Sequence, residues 1–108
     1  MTDPWTGFVL NHTAPLNIAF HLLSAALYVG SPLAAALTWD PRWLVGFFGA
    51  GLVAALGHAL SGEGTGGLNV QRVTFSAAVI RDVAKMTALV LTGRWAAEVA
   101  RARDHAAP

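Results

Sequence analysis

Two long apolar stretches separated by one short polar turn dominate the chain. From Leu16 to Thr38 the run is interrupted only by Asn17, His21, Ser24 and Ser31. That stretch suits a helix crossing a bilayer core of about 30 Å, which takes about 20 apolar residues. A second run extends from Trp43 to Leu60, and His58 is its only ionisable residue. Between them lies Thr38-Trp39-Asp40-Pro41-Arg42-Trp43, where Pro41 suits a helix start because no amide hydrogen is needed there. The pattern predicts transmembrane helices over 16–38 and 43–60, paired as a hairpin.

The pattern then changes. Residues 61–69, opening Ser61-Gly62-Glu63-Gly64-Thr65-Gly66-Gly67, are too glycine-rich for helix and read as a flexible loop. They lack the lysine and preceding strand of a phosphate-binding loop. Over 70–99 a helical period returns at Val73, Ala77, Ile80, Ala84, Ala88 and Leu91. Arg81, Asp82 and Lys85 interrupt it, so this third helix is expected to be amphipathic, lying at the membrane interface or inserting shallowly through Met86–Leu91. Residues 100–108 read as a frayed, solvated tail. The expected fold is therefore a single all-α membrane domain over 1–108: a transmembrane hairpin followed by one interfacial helix.

Composition agrees with a membrane protein. The 108 residues are 55% hydrophobic and 12% charged, against roughly 25% charged in soluble domains. A net charge of +1 speaks against a nucleic-acid partner. Cysteine is absent, which leaves His, Asp and Glu as the strong metal ligands. Met-Thr-Asp-Pro-Trp lacks the basic start of a signal peptide, so the spans are expected to be retained. Trp5, Trp39, Trp43 and Trp95 bracket the apolar runs as an aromatic belt would. Arg42 is the only basic residue in the turn, whereas Arg72, Arg81, Lys85, Arg94, Arg101 and Arg103 follow the second run. The positive-inside rule then places both termini in the cytoplasm.

The chemistry centres on histidine. His21 lies 19 residues before Asp40 and His58 lies 18 after it, so in an antiparallel pair both stand roughly 28 Å from the turn. Ionisable groups at such depth are costly and mark function. Asn17, His21, Ser24 and Tyr28 form one polar stripe on the first helix. His12 precedes His21 by nine residues, and Pro15 fixes the helix entry so that His12 can fold back. Glu63 follows His58 by five. Histidines with a carboxylate suit Fe(II) or Zn(II), and a facial set on iron with open positions activates oxygen. Asn17 is placed to orient an imidazole. Haem b is the other cofactor that fits, with one axial histidine from each helix and a dimer to enclose it. The plainer readings are a packing hydrogen bond for His21, a capping cation for His58, a surface position for His12 and a solvated face for Arg81, Asp82 and Lys85. His105 belongs to the tail.

His12-Thr-Ala-Pro15-Leu-Asn17-Ile-Ala-Phe-His21, then Gly57-His58, Asp82 and Leu91-Thr92-Gly93-Arg94, together resemble the small bacterial members of the 2-hydroxy-fatty-acid dioxygenase-like membrane proteins. The similarity spans roughly residues 8 to 95. It implies an Fe(II)-dependent enzyme of the bacterial inner membrane that shortens 2-hydroxy fatty acids by one carbon in α-oxidation. Carried over by position, His12, His21 and His58 would be iron ligands, with Asn17 supporting them. The family's glutamate falls four residues after the Gly-His histidine, where this chain has Gly62; Glu63 comes one later, as a possible fourth ligand. Gly66-Gly67 replaces the family's Pro-Ala pair, and Ser24 stands where glycine is common.

The expected function is thus a non-haem iron dioxygenase whose lipid-derived substrate lies along the apolar helix faces, with Arg81 or Lys85 pairing its carboxylate. The alternative is a non-catalytic accessory subunit, because faces rich in Ala25, Ala26, Ala34 to Ala36, Gly46, Gly49 and Gly51 let other helices of a homo-oligomer or membrane complex approach closely.

Overall fold

Proline, glycine and one tryptophan set where the helices start and stop. A computed structural model describes residues 4–63 and 77–107, and those residues form helices and short connections without strand. A short helix α1, Pro4–Leu10, which the hydrophobic pattern does not announce, precedes the hairpin. Helix α2 spans Pro15–Thr38, with Ala14 in the extended conformation that a following proline favours. It ends where Trp39, 92% exposed, takes left-handed backbone angles (φ 56°, ψ 29°). Asp40 then accepts from Arg42 N, and a single 3-10 turn, Pro41–Trp43, leads into α3, Leu44–Ser61. Gly62 closes α3 at φ 75°, which glycine adopts without a Cβ penalty.

Helices α2 and α3 pack side by side in antiparallel register. Asn17 meets Gly57 and His58, Ser24 Oγ donates to Ala50 O at 2.8 Å, Tyr28 stacks edge-on to Phe47, and Ser31 lies against Gly46. The contact stripe of α3 is Gly46, Ala50, Ala54 and Gly57, small residues that let the backbones approach. The buried positions of α2 are all polar: Asn17, His21, Ser24 and Ser31. Its apolar residues point the other way, and Leu16, Leu23, Val29, Leu33 and Leu37 are exposed, as are Val45, Phe48, Leu52, Leu56 and Leu60 on α3. Polar inside and apolar outside is the reverse of a helix pair meant for water. Both helices are long and apolar enough to cross a membrane.

Beyond the hairpin the expected single helix over 70–99 is two helices. Residues 64–76, with most of the predicted glycine loop and the first turns of that helix, lie outside the described residues. Helix α4 covers Ala77–Leu91 and α5 covers Trp95–Ala106. Gly93 at φ 73° separates them, with Arg94 N bonded to Leu89 O and Gly93 N to Val90 O, the two bonds of a Schellman ending. The helical period runs through this break because both helices are amphipathic. Residues 100–106, expected to fray, are helical because Val99 and Ala102 join Val9, Met86 and Trp95 in a small core. That core packs α5 against α1. Trp5 Nε1 donates to Glu98 Oε1 at 2.7 Å, and Trp95 is 7% exposed. These two tryptophans therefore hold the terminal helices together, whereas Trp39 and Trp43 remain exposed at the turn.

Candidate metal centre

The end of α1 sets His12. Asn11 N and His12 N bond back to Gly7, Phe8 and Val9 carbonyls, turning the chain before Pro15. His12 stacks on Phe8 with ring centroids 4.0 Å apart, and its carbonyl accepts from Trp95 Nε1 at 3.2 Å. His21 rises from the second turn of α2, and His58 from the last turn of α3. In the hairpin register His21 stands opposite Ala54, one turn nearer the connecting turn than His58. Helical Cα–Cβ bonds lean toward the helix N-terminus, so His21 leans away from the turn and His58 toward it. The two imidazoles meet across that offset.

His12, His21 and His58 each offer a ring nitrogen, and these atoms lie within 4.8 Å of one another. The rings meet edge to face, with centroids 4.3, 4.6 and 4.8 Å apart. Nδ1 of His12 faces Phe8 O, and Nδ1 of His21 faces Asn17 O at 2.9 Å. A carbonyl only accepts, so both rings carry their proton on Nδ1 and present Nε2 lone pairs to each other at 3.0 Å. Facing lone pairs repel unless a cation sits between them. His58 is set differently: its Nδ1 lies 3.2 Å from Asn17 Nδ2, the longest of three contacts that share that amide's two hydrogens. Burial, with His21 nearby, pushes the His12 pKa down to about 3, which keeps that ring neutral and able to ligate.

The three nitrogens lie up to 4.8 Å apart, so an ion bonded to all of them at about 2.1 Å needs the widest pair to draw in, whereas the closest pair already suits one. With metal–nitrogen bonds of about 2.1 Å, nitrogens 3.0 Å apart subtend roughly 90°, the cis angle of an octahedral face. Carbonyls behind Nδ1 of two of the rings are the partners that fix ligand orientation at metal sites. A haem fits poorly, because its iron needs two imidazoles on opposite faces of the macrocycle and the rings here nearly touch.

Glu63 does not join the histidines. Its oxygens accept from Thr13 N at 2.8 Å, Thr13 Oγ1 at 2.6 Å, Ala14 N at 2.8 Å and Asn17 Nδ2 at 3.1 Å. Partial burial raises the Glu63 pKa, but these hydrogen bonds outweigh it and bring the value down to about 2. The expected fourth ligand thus stands behind the site as an anion. Asn17 is wholly buried: Nδ2 also reaches Asn11 O at 2.9 Å, and Oδ1, without a hydrogen-bond partner, packs over Gly57. Arg81 and Lys85 both lie on α4, and Lys85 is engaged elsewhere. Arg81 is 3.6 Å from Asp82 with its side chain 77% exposed, and Lys85 Nζ sits 4.2 Å over the Trp5 ring.

Sequence reasoning missed Thr13, Trp95 and Phe8 as supports. Thr13 carries no signal in one sequence, and Trp95 is masked by its position at the edge of an apolar run. An open groove of about 590 Å³ lies between α2 and α4, walled by Leu22, Ala25, Ala26, Tyr28 and Val29 on one side and Ile80, Val83, Ala84, Thr87, Ala88 and Leu91 on the other. Thr87 Oγ1 is bonded to Val83 O, leaving its methyl for the groove. Comparison with known proteins finds no matching family model, no similar curated protein and no similar solved structure.

Proposed function

We propose that this chain is an integral membrane protein that holds Fe(II) on His12, His21 and His58 and oxidises a 2-hydroxy fatty acid, shortening it by one carbon. The observation that carries this reading is the convergence of three histidines from three segments, two of them with Nδ1 turned to a backbone carbonyl. Bound iron would supply oxygen activation. The chain's own residues then have three tasks: to hold the ion, to keep the His12 ring neutral by burial, and to seat an apolar tail. The α2–α4 groove supports the third, since its walls are hydrocarbon and Leu22 at its edge follows His21 directly. Arg81, exposed and loosely paired, is the better partner for the substrate carboxylate; Lys85 is held by Trp5.

Membrane insertion is supported by the apolar outer faces of α2 and α3, which would be costly to expose to water, with the histidines and both termini on the cytoplasmic side by the distribution of basic residues. Purification in mild detergent, metal analysis and an absorption spectrum test the proposal. It expects one iron per chain without a Soret band, lost on His21→Ala. Absence of metal after anaerobic reconstitution with Fe(II) would overturn it and favour an accessory subunit.

A further inference from the structure

Glu63 touches every segment that carries a ligand. Thr13, which gives it two hydrogen bonds, follows His12 directly. Asn17, which gives it another, offers its carbonyl to His21 Nδ1 and its amide to His58 Nδ1. His58 itself lies five residues back along the same chain, beyond the left-handed Gly62 that turns Glu63 from the end of α3 toward the start of α2. Helix α2 has no capping side chain of its own at Ala14. The Glu63 carboxylate meets the Thr13 and Ala14 amides instead, where negative charge also suits the helix dipole. Two carboxylate oxygens accept about four hydrogen bonds, and Glu63 has four donors. Reaching a metal would mean breaking some of them.

We propose that Glu63 is a positioning residue of the metal centre. It does not bind the ion; it fixes His12 through Thr13 and His21 and His58 through Asn17, and its charge offsets that of a divalent ion from one shell away. The proposal rests on the metal-binding reading above. It also accounts for Gly62, since only after a left-handed residue does the carboxylate face α2. A glutamate one position earlier would have to occupy that left-handed turn itself.

The test uses the full chain in detergent and Co(II) as an optical probe. Wild type is expected to bind one Co(II), and Glu63→Gln to bind it ~10- to 100-fold more weakly. At saturation the d–d bands of the two proteins should coincide in position and intensity, and Glu63→Asp should recover part of the affinity. A change in the bands would make Glu63 a ligand and overturn the proposal; so would an unchanged affinity. Should Glu63→Gln fail to fold, Thr13→Val keeps the charge and removes one donor. It is expected to weaken Co(II) several-fold with the same bands, and equal affinity there is the contrary result. If wild type binds no Co(II), the metal-binding reading itself has failed, which separates the two.

Discussion

The two ends of the α2–α3 hairpin are closed by the same chemistry in opposite settings. At the turn, the Asp40 carboxylate accepts from Arg42 N and from the exposed Arg42 guanidinium at 2.8–3.1 Å, two residues apart at the surface. At the open end, the Glu63 carboxylate accepts from Thr13 and Ala14, 50 and 49 residues away, beside a histidine cluster in which His12 and His21 are buried. The first clasp forms as soon as the chain bends, and water screens it. The second exists only once both helices have found their register. A local contact decides where the hairpin begins, whereas the long-range one decides whether three histidines meet.

The sharpest way to break that contrast is at the ligands. His21→Ala is expected to abolish metal binding, measured by metal analysis, while helix content by circular dichroism stays at the wild-type level. An equal loss of helix would show that the cluster holds the fold rather than an ion.

Gly57→Ala comes next. A Cβ there would stand 2.6 Å from Asn17 Oδ1 and 2.8 Å from Phe20 Cβ, so the helices or Asn17 must move, at a cost of about 1–3 kcal/mol. Gly49→Ala, where a Cβ meets nothing within 4 Å, should leave stability unchanged or slightly raised. Unfolding of the two variants in the same detergent checks the difference, and equal stabilities would refute the close approach.

Acid should loosen the open end. Glu63 has a pKa of about 2 in the fold against 4.5 ordinarily, so the folded state binds that proton less readily than the unfolded chain. Its contribution is complete above about pH 4.5 and is lost as pH falls toward 2. The stability gap between wild type and Glu63→Gln should therefore shrink over that window, and a gap independent of pH would contradict the assignment.

Trp95→Phe removes the indole N–H bonded to His12 O and should cost about 0.5–1.5 kcal/mol, together with some metal affinity. Smallest of all is Asp40→Asn at the exposed turn, which should leave both stability and metal content unchanged. A large effect there would mean that the two ends are coupled.

The contrast also separates what could be read from one chain. The apolar runs, the proline starts and the Asp40 turn are local features, and the helices follow them within a residue or so. The polar stripe Asn17, His21, Ser24 was legible because helical spacing puts those residues on one face, which is the face that meets α3. The break at Gly93 was less so, since an apolar period that runs through a turn looks like one helix. Glu63 was assigned by ligand type, but whether a carboxylate points at a metal or at a helix N-terminus depends on the backbone angle of Gly62 and on where Thr13 lies.

Hydrophobic periodicity and chain punctuation by themselves determined two long apolar helices, their hairpin and the histidines as the chemically costly residues. Those are properties of neighbours along the chain. Only the tertiary structure decided that Trp95 ties down the backbone of His12 and that Glu63 stands behind the site. Each of those depends on partners some fifty to eighty residues apart, brought together by close packing that no local pattern encodes.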